Sequence, residues 1–260
     1  MKVFKSYILI HMFNGNINIK NRKIPKTLLG TSPFIGAAQF GHRARLYQLD
    51  LYQKVDNMVN IIKKSHDLGV KGIQVIPYKN VIKAVKIAID EGCELYIVGT
   101  VRPDKEDGDI ETFSSLGAST MLLHAGITDS GDWDFMADKL DLIKDSDSIP
   151  GIVTHTPFVT TKNLLRSPII DLFDIYMLPI NKLGYLMDTS TFMEDSRNEL
   201  RNLILELDKM IIAKKILAAG ILKPREAFDF LKNLDYVDMI TLGIASEEEA
   251  EETFNLLNEL

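Results

Sequence analysis

Residues 151–178 read GIVTHTPFVTTKNLLRSPIIDLFDIYML, and this stretch predicts two buried strands with a helical segment between them. The strand candidates are Gly151–Thr154 and Asp174–Leu178, in which apolar residues follow one another instead of alternating with polar ones. Continuous apolar runs are typical of strands that are covered on both faces, as in a parallel sheet. The stretch therefore predicts one strand–helix–strand unit of an α/β fold.

The same unit recurs along the chain after Pro25. Between the strand candidates, apolar residues repeat at helical spacing, for example over 51–62, and Gly69 follows where a C-terminal cap is expected. Eight such units predict a single-domain (β/α)8 TIM barrel over residues 27–260. The alternative is an open doubly wound sheet, which would need a Gly-x-Gly-x-x-Gly loop where residues 31–36 read TSPFIG. The strand candidates are Thr27–Gly30, Gly72–Ile76, Leu95–Gly99, Thr120–His124, Gly151–Thr154, Asp174–Leu178, Lys215–Ala219 and Asp238–Leu242.

Residues 1–26 are predicted to form a β-hairpin extension that closes the bottom of the barrel. The pair Asn14-Gly15 lies between the alternating apolar residues of 8–12 and 17–19. Asn-Gly accepts positive φ at both central positions of a type I′ turn, which makes it a hairpin signal. A signal peptide is the alternative, but its apolar run is interrupted by His11 and no small-residue cleavage site follows.

The composition limits the classes of function. Of the 260 residues, 46% are apolar and 25% are charged, as in an ordinary soluble globular protein. The net charge of -6 argues against a general nucleic-acid binder, and no apolar run approaches the ~18 residues that span a bilayer. The single cysteine, Cys93, rules out an intrachain disulfide framework and suits a cytoplasmic location. We expect a small-molecule ligand as the partner, and neither nucleic acid nor a membrane.

Four side chains near the C-terminal ends of the strands are the candidate catalytic residues, because the loops after the strands build the active site of this fold. His124 ends the fourth strand and His155 follows the fifth, so we expect two neighbouring imidazoles that serve in acid–base catalysis. Lys182, after the sixth strand, could form a Schiff base, and Tyr78, after the second, could protonate a carbonyl. The alternatives are histidines that cap strands, a solvated lysine and a tyrosine packed on the rim. No His-Glu-x-x-His motif supports a metal site.

Small residues at the ends of the last two strands predict a site for an anion or a cofactor. Gly220 follows the seventh strand, and Gly243, Ile244 and Ser246 follow the eighth. Such residues let backbone N–H groups approach a phosphate at the start of the last helix. The alternative is a set of tight turns and caps, and the glutamates within 247–252 would repel a phosphate.

Several of these segments resemble aldo-keto reductases. His124, after two leucines, is similar to the end of their fourth strand, and Asn181 stands where their sixth strand often ends in Asn. The resemblance implies a barrel plugged by an N-terminal hairpin, the reduction of carbonyl compounds, NADP or NAD as the cofactor, and Asn181 among the cofactor-binding residues. It covers residues 120–254 and rests on Leu122–His124, Gly151–Pro157, Phe173–Asn181, Ala218–Pro224 and Gly243–Ser246.

The first half of the chain departs from that family at the residues that carry its chemistry. The family has an Asp at the end of the second strand, where this chain runs from Ile76 into Pro77, and Tyr78 comes too early to match the family tyrosine. The family lysine falls near Thr100-Val101, where there is none. Without this acid and the lysine that tunes it, general-acid catalysis worth about 10²–10⁴-fold is lost. The function must therefore be argued from the site.

Three functions stay open at the level of the sequence. The first is a NAD(P)-linked oxidoreductase in which His124 and Tyr78 replace the missing proton donor. The second is a lyase, aldolase or isomerase that acts on a carbonyl or phosphorylated metabolite through Lys182. The third is a barrel without catalytic activity. A homo-oligomer is expected if the methionine-containing helix predicted over Glu194–Ile211 packs on a second copy.

Overall fold

The computed structural model describes residues 13–260 as a closed barrel of eight parallel strands surrounded by helices. The strands are β1 (Asn16–Ile19), β2 (Arg22–Pro25), β3 (Thr27–Gly30), β4 (Gly72–Val75), β5 (Tyr96–Val101), β6 (Thr120–Leu123), β7 (Ile149–Val153), β8 (Ile175–Pro179), β9 (Met210–Lys214) and β10 (Met239–Gly243). The helices are α1 (Arg43–Tyr47), α2 (Val55–Asp67), α3 (Lys79–Asp90), α4 (Glu106–Ser115), α5 (Ala125–Thr128), α6 (Trp133–Asp145), α7 (Pro157–Leu164), α8 (Glu194–Leu207), α9 (Pro224–Leu231) and α10 (Glu247–Glu259).

The barrel closes in sequence order, from β3 through β9, with β10 hydrogen-bonded to both β9 and β3. The predicted (β/α)8 fold is therefore confirmed. Alternate residues of each strand pack on opposite sides: Leu122 and Ile212 belong to an inner cluster, whereas Leu123 and Ile211 pack in the outer layer under the helices. Because both faces are covered, the strands are apolar throughout, as the continuous runs predicted.

The antiparallel hairpin β1–β2 confirms the plug at the bottom of the barrel, but its turn differs from the predicted one. The turn residues are Lys20 and Asn21, with φ of 45° and 65°, which is the type I′ pattern. Ile19 and Ile24 are buried in the inner cluster. The other half of the hairpin that was predicted around Asn14-Gly15 falls on residues 8–12, which lie outside the described residues.

The predicted seventh strand, Lys215–Ala219, is wrong, because the strand at this place is β9 and it ends at Lys214. The helix predicted to continue to Ile211 already ends at Leu207, and Asp208 follows in the left-handed conformation. Positive φ values at Lys215 and Ala219 are incompatible with a strand. The correction moves the end of the seventh barrel strand by five residues, so that a lysine occupies it.

The helices of residues 13–260 are all too short or too polar to cross a membrane.

Candidate functional site

A cavity of about 740 Å³ opens at the C-terminal ends of the barrel strands. Its floor is made by side chains at the upper ends of the strands, and one arm runs past the β10–α10 turn to Glu249 and Thr253 on α10. This is the end of the barrel at which active sites of the fold occur. The polar side chains of the floor are Gln74, Thr100, His124, His155, Lys214, Lys215 and Thr241.

His124 directly follows β6 and presents one defined ring nitrogen to the cavity. The backbone N–H of Gly126 donates a hydrogen bond of 3.0 Å to Nδ1 of His124. A neutral ring that accepts at Nδ1 carries its proton on Nε2, so we infer an Nε2–H donor for the cavity. Burial lowers the pKa of His124, and the neighbouring Lys214 lowers it further, which favours this neutral form.

His155 lies next to His124, as the sequence predicted from the neighbouring strands. The two ring centroids are 5.7 Å apart and the rings are nearly perpendicular, at 84°. The side chain keeps contact with the solvent of the cavity, yet the protein atoms around it lower its pKa to about 3, with Lys214 and Lys215 adding to the effect. Two neutral imidazoles therefore face one ligand volume.

Asp129 holds the loop that carries His155. Its Oδ1 accepts hydrogen bonds from the hydroxyls of Thr154, at 2.5 Å, and Thr160, at 2.8 Å. Its Oδ2 accepts the backbone N–H of His155 at 2.9 Å. Both oxygens thus have donors from the loop, and the carboxylate is a fixed negative charge beside the lysines of the cavity. The sequence analysis did not assign this role, because Asp129 is separated by more than 20 residues from its partners.

Lys214 and Lys215 are the functional candidates that the sequence analysis missed. Lys214 is the last residue of β9 and is only 9% exposed. Burial lowers the pKa of Lys214 well below its usual value, and the adjacent Lys215 contributes. Burial also lowers the pKa of Lys215, to about 8. The misplaced seventh strand concealed them, because it put both lysines before or at the start of a strand instead of at its C-terminal end.

Two neutral polar side chains of β4 and β5 form part of the floor of the cavity. Gln74 of β4 and Thr100 of β5 line the cavity, and Gln74 Nε2 donates a 2.7 Å hydrogen bond to Thr100 Oγ1. Neither side chain of this pair carries a charge.

Two of the four predicted catalytic residues lie away from the cavity. The guanidinium of Arg102 stacks 4.8 Å over the ring of Tyr78, which is on the rim and 38% exposed. Lys182 is exposed, and its Nζ forms a 2.6 Å ion pair with Glu226 of α9. The catalytic roles of these two side chains stay predictions, and neither is among the residues that line the cavity.

The predicted cofactor residues divide in the same way. Gly220, Gly243 and Ile244 line the cavity. Asn181 is buried, and its Oδ1 accepts the backbone N–H of Tyr185 while its Nδ2 donates to the carbonyl of the same residue, so it stabilises a turn. Ser246 accepts the N–H of Glu249 and caps α10, as the capping role predicts.

Gly220 stands at a place where a side chain would obstruct the cavity. Its φ is +86°, and a Cβ would lie 2.8 Å from Nη1 of Arg43. Arg43 and Lys223 bring positive charge to this arm, and Glu249 and Glu252 bring negative charge at its far end. The carboxylate of Glu249 already accepts the N–H of Ala245 at 2.8 Å. Within residues 13–260, no group of three His, Cys, Asp or Glu side chains is arranged to hold a metal ion.

Solved structures with this fold include reductases. A proposed aldo-keto reductase from Pseudomonas aeruginosa superposes with a TM-score of 0.65 at 15% identity, over 98% of this chain and 99% of that one. An aldo/keto reductase from Brucella melitensis superposes with a TM-score of 0.60 at 11% identity, over 93% of this chain and 92% of that one. No protein-family model matches the sequence, and no curated protein matches it. The chain thus shares the barrel fold of aldo-keto reductases.

Proposed function

We propose that this protein is an enzyme that acts on a small carbonyl compound bound in the cavity. The single observation that supports this most is His124, whose Nε2–H is left as a donor by the hydrogen bond from Gly126 to Nδ1. A neutral imidazole N–H hydrogen-bonds a carbonyl oxygen and stabilises the negative charge that develops on it. His155, also neutral, is the second group in contact range of the same ligand.

Reduction linked to NAD(P) is the reaction that the shared fold favours, and the cavity has room for this cofactor. Gly220 leaves the space next to Arg43 open, and the backbone at Gly243 and Ile244 lines the same arm. These residues and the cations Arg43 and Lys223 would hold the phosphates of a dinucleotide. A bound nicotinamide supplies a hydride to a carbonyl carbon.

The proton that such a reduction needs can come from Lys215. With a pKa of about 8, its amine is mostly protonated at neutral pH, yet it releases a proton more readily than an exposed lysine. Lys215 lines the same cavity as His124. In this proposal His124 orients and polarises the carbonyl, and Lys215 protonates the oxygen, in place of the tyrosine that aldo-keto reductases carry after the second strand.

Cofactor binding tests the reductase proposal directly. We expect NADPH or NADH at millimolar concentration to raise the melting temperature, since a ligand at about 100 times its Kd adds about 2.7 kcal/mol. Gly220→Ala should weaken binding by about tenfold, or 1.4 kcal/mol, in a calorimetric titration, because the new Cβ displaces the guanidinium of Arg43 that is proposed to hold a phosphate. Gly92→Ala is the matched control, because φ there is also positive but a Cβ meets nothing within 4 Å. If neither cofactor raises the melting temperature, the reductase proposal is contradicted.

Turnover tests the role of His124. With small aldehydes and 2-oxo acids as substrates and NADPH oxidation as the readout, His124→Ala should lower kcat by about 10²–10³-fold, because it removes the donor that stabilises the negative charge on the oxygen. Tyr78→Phe should change kcat little, since Tyr78 is outside the cavity. Equal activity of His124→Ala and the unchanged protein would remove His124 from the mechanism.

A cytoplasmic location and a homo-oligomer are further proposals. Cell fractionation tests the location, and size-exclusion chromatography tests the oligomeric state.

A further inference from the structure

Lys214 points into the barrel, by the alternation of β9. Ile212, two residues earlier, packs in the inner cluster, and Ile211 and Ala213 pack in the outer layer. Lys214 therefore shares the inward face with Ile212 and lines the cavity. It pairs with Pro179 of β8 on one side. On the other side, the register of β9 and β10 continues to Thr241, which is also on the inward face.

The amine of Lys214 is buried without an opposite charge at contact distance. The side chain is 9% exposed and lines the cavity, and within residues 13–260 no hydrogen bond or ion pair of its Nζ is found. Asp129 is the carboxylate that acts on it from a distance, and Asp129 already accepts hydrogen bonds from Thr154 and Thr160. A buried ammonium without a partner is costly, so the neutral amine is favoured, and the lowered pKa agrees with this.

A desolvated lysine next to a second cation is the arrangement that activates an amine as a nucleophile. Lys214 has both features, because Lys215 follows it directly and lines the same cavity. Groups that can donate or accept protons line the same cavity as the amine: the Nε2–H of His124, the ring of His155, the amine of Lys215, and the buried hydroxyl of Thr241, which has no hydrogen-bond partner among the described residues. An orphaned buried hydroxyl of this kind is satisfied when a ligand provides the partner.

We propose that Lys214 is a covalent catalytic residue, whose Nζ condenses with the carbonyl carbon of a small aldehyde or ketone to form a Schiff base. This inference rests on one part of the proposed function, that the cavity holds a carbonyl compound, and it needs no nicotinamide. It gives the barrel a lyase or isomerase activity, on an amine other than the one that the sequence pointed to.

The step balances without an oxidant or reductant. The nitrogen lone pair forms the N–C bond, and one proton passes from that nitrogen to the carbonyl oxygen, so that a neutral carbinolamine forms while the Nε2–H of His124 hydrogen-bonds the oxygen. The ammonium of Lys215 then protonates the hydroxyl, which leaves as water as the nitrogen lone pair forms the C=N bond, so that a protonated imine and a neutral Lys215 amine remain. The imine withdraws electrons from a neighbouring C–H or C–C bond, and His155 accepts the released proton in the C–H case.

Lys182 provides a matched comparison. It follows the sixth strand at the same end of the barrel, but its ammonium is exposed and paired with Glu226 at 2.6 Å. An exposed paired ammonium stays protonated and is a poor nucleophile. The proposal therefore predicts a sharp difference in reactivity between two lysines of one chain.

Borohydride trapping tests the proposal. The protein is incubated with glyoxylate, acetaldehyde or glyceraldehyde 3-phosphate, reduced with sodium borohydride, digested and mapped by mass spectrometry. We expect stoichiometric labelling at Lys214, loss of that label in Lys214→Met, and unchanged labelling in Lys182→Met. Since the site is identified in the unchanged protein, the result does not depend on the folding of Lys214→Met.

Three results would overturn the proposal: labelling that favours Lys182, labelling that favours Lys215, or no label at Lys214 with any of the three probes in the folded protein. The test is independent of the reductase proposal. If Lys214 is labelled but NADH and NADPH do not change the melting temperature, the Schiff-base proposal is supported and the reductase proposal is contradicted. If a cofactor binds but Lys214 is not labelled, only the Schiff-base proposal is contradicted.

Discussion

Lys214 carries a cost in stability that a methionine would remove. Its side chain is 9% exposed and burial lowers the pKa of its amine, so at neutral pH folding favours release of a proton that the unfolded chain keeps, and this lowers stability. We expect Lys214→Met to raise the melting temperature at neutral pH, by about 2–4 °C for each kcal/mol in a chain of this size. Differential scanning calorimetry measures the shift.

The matched control is Lys182→Met, because it removes an exposed ion pair, which contributes about 0–1 kcal/mol. If the melting temperature of Lys214→Met is below that of both the unchanged protein and this control, the amine has a stabilising partner.

Asp129 is the residue whose loss should loosen the His155 loop. In Asp129→Asn, one carboxylate oxygen becomes an amide N–H₂ group, which donates hydrogen bonds and accepts none. The variant therefore loses either the hydrogen bond from the Thr154 hydroxyl or the one from the N–H of His155. We expect a loss of about 1–3 kcal/mol in urea unfolding. Asp132→Asn is the control, because Asp132 caps α6 by accepting the N–H of Phe135, and Asn caps a helix equally well. Equal stability of the two variants would contradict the role of Asp129.

At the scale of the element, the hairpin turn makes a prediction about backbone conformation. Asn21 has a φ of 65°, where a β-branched residue is strained by roughly 1–2 kcal/mol. Asn21→Val should therefore unfold at a lower urea concentration, and Asn21→Gly should not. Asn18→Val is the control, because Asn18 is exposed and extended within β1, where valine is favoured. If both valine variants behave alike, the turn does not lie at Lys20-Asn21.

The elements show where sequence patterns are sufficient and where they fail. The strands around His124 and His155 were predicted within two residues, because each is a short apolar run bounded by polar residues. β9 was missed because Met210 and Ile211 extend the apolar pattern of α8 without a glycine or proline between them. The helix ends at Asp208 in the left-handed conformation, which Asp adopts less readily than Gly, so the stop signal is weak.

The candidate site was predictable to the extent that it depends on strand order. Topology alone brought His124 and His155 together, and it indicated Gly243. Gly220 lines the cavity as predicted, although the strand from which it was predicted ends six residues earlier, at Lys214. The tautomer of His124, the loop anchor Asp129 and the buried state of Lys214 depend on contacts between residues far apart in sequence, which periodicity does not encode. Lys182 and Lys214 are both lysines near the C-terminal end of a barrel strand, and only burial and ion pairing distinguish them.

At the scale of the whole molecule, the neutral imidazoles predict acid sensitivity. Burial lowers the pKa of His155 from 6.5 to about 3, so between these values the unfolded chain binds a proton that the folded protein does not. Stability therefore rises with pH across this window and is lost as the pH falls below 6.5. We expect the melting temperature of His155→Gln to fall less between pH 6.5 and pH 4 than that of the unchanged protein. Parallel curves would contradict the lowered pKa.

The β1–β2 hairpin at the bottom of the barrel also affects the route by which a ligand enters and leaves the cavity. Ile19 and Ile24 fill the lower end, so among the described residues the way to Lys214 leads through the C-terminal opening of the barrel, and a bound compound leaves through the same opening. If Lys214 forms an imine as proposed, the released water leaves through this opening as well. Entry of a second ligand therefore has to wait for departure of the first, and a large product would keep the cavity occupied after the chemistry is over.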